Sequence, residues 1–105
     1  MAKLIWAQKA IESLEAIYDY ISRDSIQYAN YQTRKIVESV ERLTIFPESG
    51  KIITEFEQSI YRQVIVGTYL VIYRFDESLN TLFIINIVHG SRLLTDFYVV
   101  EPTGG

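Results

Sequence analysis

Ala7, Ala10, Ile11, Leu14, Ile17, Tyr18 and Ile21 recur three and four positions apart, with Lys9, Glu12, Ser13, Asp19 and Arg23 between them. That spacing gathers the apolar set on one side of an amphipathic helix of about four turns. Ala7-Gln8 offers no hydroxyl or carboxylate to cap its start. The pattern breaks over residues 22–25, where Asp24 or Ser25 can accept an exposed backbone N–H and open a second helix. Ala29, Thr33, Ile36, Val37, Val40 and Leu43 form the second stripe. Pro47 disfavours helical geometry at the residue before it, so this helix ends by Phe46. Two such helices with a short link predict a helical hairpin, and residues 2–6 ahead of it read as a short strand.

The period then changes. After a loop at Pro47-Glu48-Ser49-Gly50, the residues Ile52, Ile53 and Phe56 suggest a connection pinned to the body of the protein. Residues 60–66, 68–75 and 82–89 are rich in Val, Ile, Tyr and Phe, as strands are. Gly67 punctuates the first hairpin and Asp76-Glu77-Ser78-Leu79-Asn80 the second. Alternation places Tyr69, Val71, Tyr73 and Phe75 on one face, with Leu70, Ile72 and Arg74 on the other. Both faces are largely apolar, so helices are expected over one and partial cover over the other. The expected class is α+β: an N-terminal strand, a helical hairpin and a three-stranded antiparallel sheet, in the order β-α-α-β-β-β. Residues 1–94 form one domain in this reading, and 95–105 a tail containing Phe97-Tyr98-Val99-Val100.

Composition narrows the chemistry. A chain of 105 residues with 49% hydrophobic content can bury a single core. The absence of cysteine removes disulfides, thiolate metal sites and a cysteine nucleophile. One histidine argues against a multi-histidine zinc site, so no metal and no cofactor are expected. No apolar run approaches the ~18 residues that cross a membrane. The start, Met1-Ala2-Lys3-Leu4-Ile5-Trp6, is charged too early for a signal peptide, so a cytoplasmic protein is expected. Ten basic against 13 acidic residues give a net charge of −3. Proteins that grip a phosphate backbone are usually basic, because phosphate contacts supply most of the affinity.

Several segments resemble one family in a fixed order. Trp6 and Ala10 precede Leu14-Glu15-Ala16-Ile17-Tyr18-Asp19-Tyr20-Ile21. Phe46-Pro47-Glu48-Ser49-Gly50-Lys51 then resembles that family's link after its second helix. Arg62, Val66-Gly67 and the run from Tyr69 to Arg74 resemble its central hairpin, and Val88-His89-Gly90-Ser91-Arg92 its last strand and exit. On these residues the chain resembles the RelE/ParE toxins of type II toxin–antitoxin systems, over residues 1 to about 94. The resemblance implies a toxin of the plasmid-stabilisation type, neutralised by a cognate antitoxin encoded beside it. It also implies a homodimer or a toxin–antitoxin hetero-oligomer. Such an antitoxin wraps a flexible segment over apolar surface of the toxin.

The family divides between inhibitors of DNA gyrase, which act by binding, and ribosome-dependent mRNA endonucleases. Metal-independent cleavage needs a base for the 2′-OH, cations at the phosphate and an acid for the leaving oxygen. In that role Arg62 and Arg74 would face a phosphate, His89 would be base or acid, Arg92 would clamp a second phosphate and Tyr69 or Tyr73 would stack on a base. In nuclease-like members the position after the hairpin tyrosine commonly carries arginine; here it is Leu70. Between residues 49 and 95 the four cations Lys51, Arg62, Arg74 and Arg92 are balanced by Glu55, Glu57, Asp76 and Glu77. A balanced count gives little attraction to RNA. The expectation is therefore a gyrase-binding toxin, with Arg62, Tyr69, Arg74, His89 and Arg92 as its target- or partner-binding residues. The alternatives are an mRNA endonuclease acting on the ribosome, and an inactive or regulatory module. Each residue also has a structural reading: edge arginines paired with carboxylates, a strand-end hydrogen bond for His89, and core packing for Tyr69 and Tyr73.

Overall fold

The computed structural model describes residues 1–54 and 60–91. Phe56, Arg92 and the tail from residue 95, on which expectations rest above, lie outside the described residues. The elements run β1 (Lys3–Trp6), α1 (Gln8–Ser22), α2 (Ile26–Leu43), β2 (Lys51–Ile52), β3 (Arg62–Val66), β4 (Tyr69–Asp76) and β5 (Thr81–His89). The helical hairpin and the α+β class stand as the sequence predicts them. Ser25 is the cap of α2, its Oγ accepting the Tyr28 N–H at 3.0 Å, and Ala7 gives α1 no side-chain cap.

The expected three-stranded antiparallel sheet is a mixed sheet of five, in the order β1-β5-β4-β3-β2. β1 lies parallel to β5, with Leu4 opposite Leu82 and Trp6 opposite Ile84. A parallel pair needs a long connection, and the helical hairpin followed by β2, β3 and β4 lies between these two strands. Leu4 and Trp6 also pack on the helix-side core, which the five-residue run alone could not reveal. At the other edge β2 pairs with Arg62 and Gln63 of β3.

The helix-side core joins Ala10 of α1 and Ile36, Val40 and Leu43 of α2 to Val66, Val71, Tyr73, Leu82, Ile84 and Ile87 of the sheet. Ile36 is fully buried, which stabilises the fold by about 1.5–3 kcal/mol. A second cluster, Ile53, Tyr61, Ile72, Ile85 and Val88, occupies the opposite face, with Leu70 and Phe83 against it. The expected pinning therefore rests on Ile53, which is buried, while Ile52 is exposed.

Two irregularities shape the sheet. Gly67 has φ of 61° at the first position of the two-residue turn between Val66 and Tyr69. Glycine adopts that conformation without steric cost, and its twist suits a hairpin. In β5 the register with β4 shifts: Ile72 is opposite Asn86 and Tyr73 opposite Ile84, leaving Ile85 as the extra residue of a bulge. The buried Asn86 Oδ1 accepts the Ser13 hydroxyl of α1 at 2.7 Å and the Ile87 N–H at 2.8 Å. One buried amide oxygen thus ties the helix to the bulge, because burying it unpaired would be costly.

Candidate functional site

The site residues predicted from sequence separate into three places. The first is the Arg62–Tyr73 clamp. Arg62 opens β3 directly opposite Tyr73, so both side chains share the helix-side face. The fully buried Tyr73 hydroxyl donates to the Pro47 carbonyl at 2.8 Å and accepts the Gly50 N–H at 2.9 Å. Arg62 Nη1 donates to the carbonyls of Gly50 at 2.8 Å and Glu48 at 3.1 Å. A loop of four residues is thereby held by one phenol and one guanidinium. Gly50 is obligatory here, because a Cβ would lie 2.5 Å from the Tyr73 hydroxyl oxygen. Burial pushes the Tyr73 phenol above its ordinary range, with the Gly50 N–H and Arg62 acting in the opposite sense. The reading of Tyr73 as core holds. Arg62 pairs with loop carbonyls in place of a carboxylate.

The second place is the opposite face. Arg74 follows Tyr73 along β4 and so points away from Arg62. Its guanidinium lies over the Phe83 ring at 4.2 Å from the centroid and 3.8 Å from Asp76. Asp76 is held below the usual carboxylate range, chiefly by the Ser78 hydroxyl that donates to it at 2.6 Å. The Leu79 N–H also donates to this carboxylate, at 3.2 Å, so Asp76 shapes the β4–β5 turn. Arg62 and Arg74, taken together in the sequence reading, therefore face different sides of the sheet.

The third place is the far end of β4. Tyr69 pairs with His89 in register, and the rings meet edge to face at 5.6 Å. Tyr69 packs on the helix-side core. Burial raises its phenol pKa, with Tyr28 and Tyr20 at the tip of the helical hairpin adding to the effect. His89 is exposed. Its Nδ1 lies 2.6 Å from the Ser91 hydroxyl and 3.1 Å from the Ser91 N–H. With the Ser91 N–H donating to Nδ1, the ring proton of the neutral imidazole sits on Nε2.

Beside this pair runs a cleft of about 460 Å³, with Lys9 and Ser13 of α1 on one wall and Tyr69, Asn86 and His89 on the other. Lys9 and Ser13 belong to what the sequence pattern marks as the solvated face of α1. The only advance signal for Ser13 is the unusual Asn86 in an otherwise apolar strand. Arg92 lies outside the described residues, so of the five residues expected to bind a target or partner only Tyr69 and His89 are brought together among the described residues. Leu70 takes part in the opposite-face cluster beside Ile72. Among the described residues no group of three or more His, Cys, Asp or Glu could hold a metal ion. No helix among them is long and apolar enough to cross a membrane.

A large aromatic surface accompanies this end. Tyr20, Ile26, Tyr28 and Tyr31 are exposed around the helix–helix link. Tyr28 and Tyr31 stack at 6.2 Å, and Lys35 sits 5.5 Å from the Tyr31 ring centroid. Tyr20 keeps 70% of its surface accessible.

Residues 4–94 match the sequence profile of the ParE toxin of the type II toxin–antitoxin system parDE. A curated relative, Toxin RelE2 of Caulobacter vibrioides, is 29% identical over 93 residues, covering 89% of this chain and all of that protein. The fold matches a chromosomal ParDE toxin–antitoxin system of P. aeruginosa with a TM-score of 0.70 at 24% identity, over 85% of this chain and 96% of that one. It also matches the toxin–antitoxin complex RelBE2 of Mycobacterium tuberculosis, with a TM-score of 0.64 at 21% identity, over 84% and 96% of the two chains.

Proposed function

This chain belongs to the ParE toxin family of type II toxin–antitoxin systems, and from that premise we propose that it arrests growth by gripping a protein target, DNA gyrase, in the cytoplasm. A cognate antitoxin encoded beside it holds it silent. The observation that supports binding over cleavage is the dispersal of the cations. Arg62 is engaged by loop carbonyls on one face, and Arg74 is packed on Phe83 on the other. A transition state for phosphodiester cleavage needs cations converging on one phosphate. Leu70, next to the hairpin tyrosine, supplies no charge. The exposed aromatic tip formed by Tyr20, Tyr28 and Tyr31 offers the kind of side chain that dominates protein interfaces.

Purified protein is expected to inhibit gyrase supercoiling or to trap gyrase on cleaved DNA. Supercoiling that proceeds unchanged at micromolar toxin, with the protein folded, removes gyrase as the target. The endonuclease reading draws on the cleft beside His89, where Lys9 is the neighbouring cation. It predicts message cut on programmed ribosomes, with the cuts lost in His89→Ala. Growth arrest on induction, relieved by the neighbouring gene, separates both readings from a non-toxic regulatory module.

A further inference from the structure

Asn86 is the only polar residue of β5 between Leu82 and Val88, and its side chain turns toward α1 beside the bulge. The Ile87 N–H donates to this side chain at 2.8 Å, so the atom it meets is the amide oxygen, and the Ser13 hydroxyl donates to the same oxygen. That assignment leaves Nδ2 with both hydrogens unmatched among the described residues. Asn86 is only 8% exposed, and an unmatched donor on so buried a side chain is costly. Nδ2 is nonetheless not sealed in, because among the described residues Gln63 Oε1 alone is both buried and without a partner. Its opening is the cleft that Asn86 lines.

The other polar groups around that cleft are donors as well. Tyr69 brings a hydroxyl, His89 its Nε2–H and Lys9 an ammonium group with no ion-pair partner among the described residues. No carboxylate lines the cleft, and its apolar part comes from Ala16, Ile17, Ile87 and Val88. Donors without an acid among them select a group that only accepts. One permanent cation matches one negative charge, and a carboxylate meets both conditions. A nucleic-acid strand brings a row of phosphates, for which a single lining cation is no track. The volume of about 460 Å³ admits an acidic side chain together with the backbone that carries it. The cleft also adjoins the exposed aromatic tip, since Tyr28 and Tyr20 act on the Tyr69 phenol.

We propose that an Asp or Glu side chain of the protein target enters this cleft, its carboxylate accepting from Asn86 Nδ2 and pairing with Lys9. Naming gyrase as the source of that carboxylate rests on the function proposed above; the place and the sign of the contact rest on Asn86 and Lys9.

Inhibition of gyrase supercoiling by the full chain tests this with two variants. Asn86→Asp keeps the oxygen that Ser13 and Ile87 require and puts a carboxylate oxygen where Nδ2 stands, so the site is filled from within. Lys9→Glu reverses the sign from an exposed position on α1 and is expected to keep the parent's urea midpoint. Each is expected to raise the concentration for half inhibition about tenfold or more, while Lys9→Arg, which keeps the charge, raises it far less. Inhibition undiminished in both Asn86→Asp and Lys9→Glu overturns the inference and leaves the gyrase reading intact. A loss confined to the grip on the protein encoded beside it, with gyrase inhibited as before, overturns it too. Parent protein that leaves gyrase untouched overturns both.

Discussion

At the Tyr73 end of β4 a phenol, a guanidinium and a glycine N–H close on one another and on the carbonyls of Pro47, Glu48 and Gly50. At the Tyr69 end, about 13 Å along the same strand, a phenol and an exposed imidazole meet edge to face beside an open cleft. Both ends carry the residue types expected of an active site. Only the Tyr69 end leaves its polar atoms facing outward, so polar character alone does not distinguish a latch from a contact surface.

The comparison is broken most severely at Gly50. Gly50→Ala forces a Cβ to 2.5 Å from the Tyr73 hydroxyl oxygen, and a loss of about 3 kcal/mol in stability is expected in denaturant melts. An unchanged midpoint would mean that the 47–50 loop is not latched. Tyr73→Phe leaves the Gly50 N–H without its partner and is expected to cost about 2 kcal/mol by the same measurement.

The two tyrosines also give the fold an alkaline limit. Burial raises both phenols above their ordinary values. The folded chain therefore keeps protons that the unfolded chain releases above a pH of about 10. Stability is level below that value and falls as the pH climbs through it. Urea midpoints measured across the alkaline range should show this fall, shallower in Tyr73→Phe than in the parent.

Arg62→Ala sharpens the contrast at smaller cost. About 1 kcal/mol is expected from losing its two carbonyl contacts. Growth arrest should persist, whereas a phosphate-binding role would abolish it. His89→Ala should change stability by less than about 0.5 kcal/mol, as an exposed substitution does. It should nonetheless weaken toxicity, measured as colony formation after induction.

The legible parts of the fold are those whose information is local. The stripes from Ala10 to Ile21 and from Ala29 to Leu43 specify the hairpin, and Ser25 caps its second helix. The alternation from Tyr69 to Phe75 sorts both faces of β4. Pairings between distant segments were not legible. Nothing in Lys3–Trp6 names Thr81–Ile84 as its neighbour, and the two-residue β2 has no period to read. In the candidate site, the strand-end role of His89 was readable, while the exposure of Tyr20 and Tyr28 needed the docking of the helices. Arg62 resembles a phosphate ligand in sequence because a guanidinium that binds carbonyls carries the same five donors.

The parallel pairing of Lys3–Trp6 with Thr81–Ile84 joins the strand ahead of the helices to the last described strand. During synthesis Leu4 emerges well before its neighbour Leu82, so this pairing forms only after the helices and the intervening strands have been made. A prematurely terminated product lacks that closing strand. Such a product carries both helices without the scaffold that orients them, and so it cannot present the Tyr69–His89 surface.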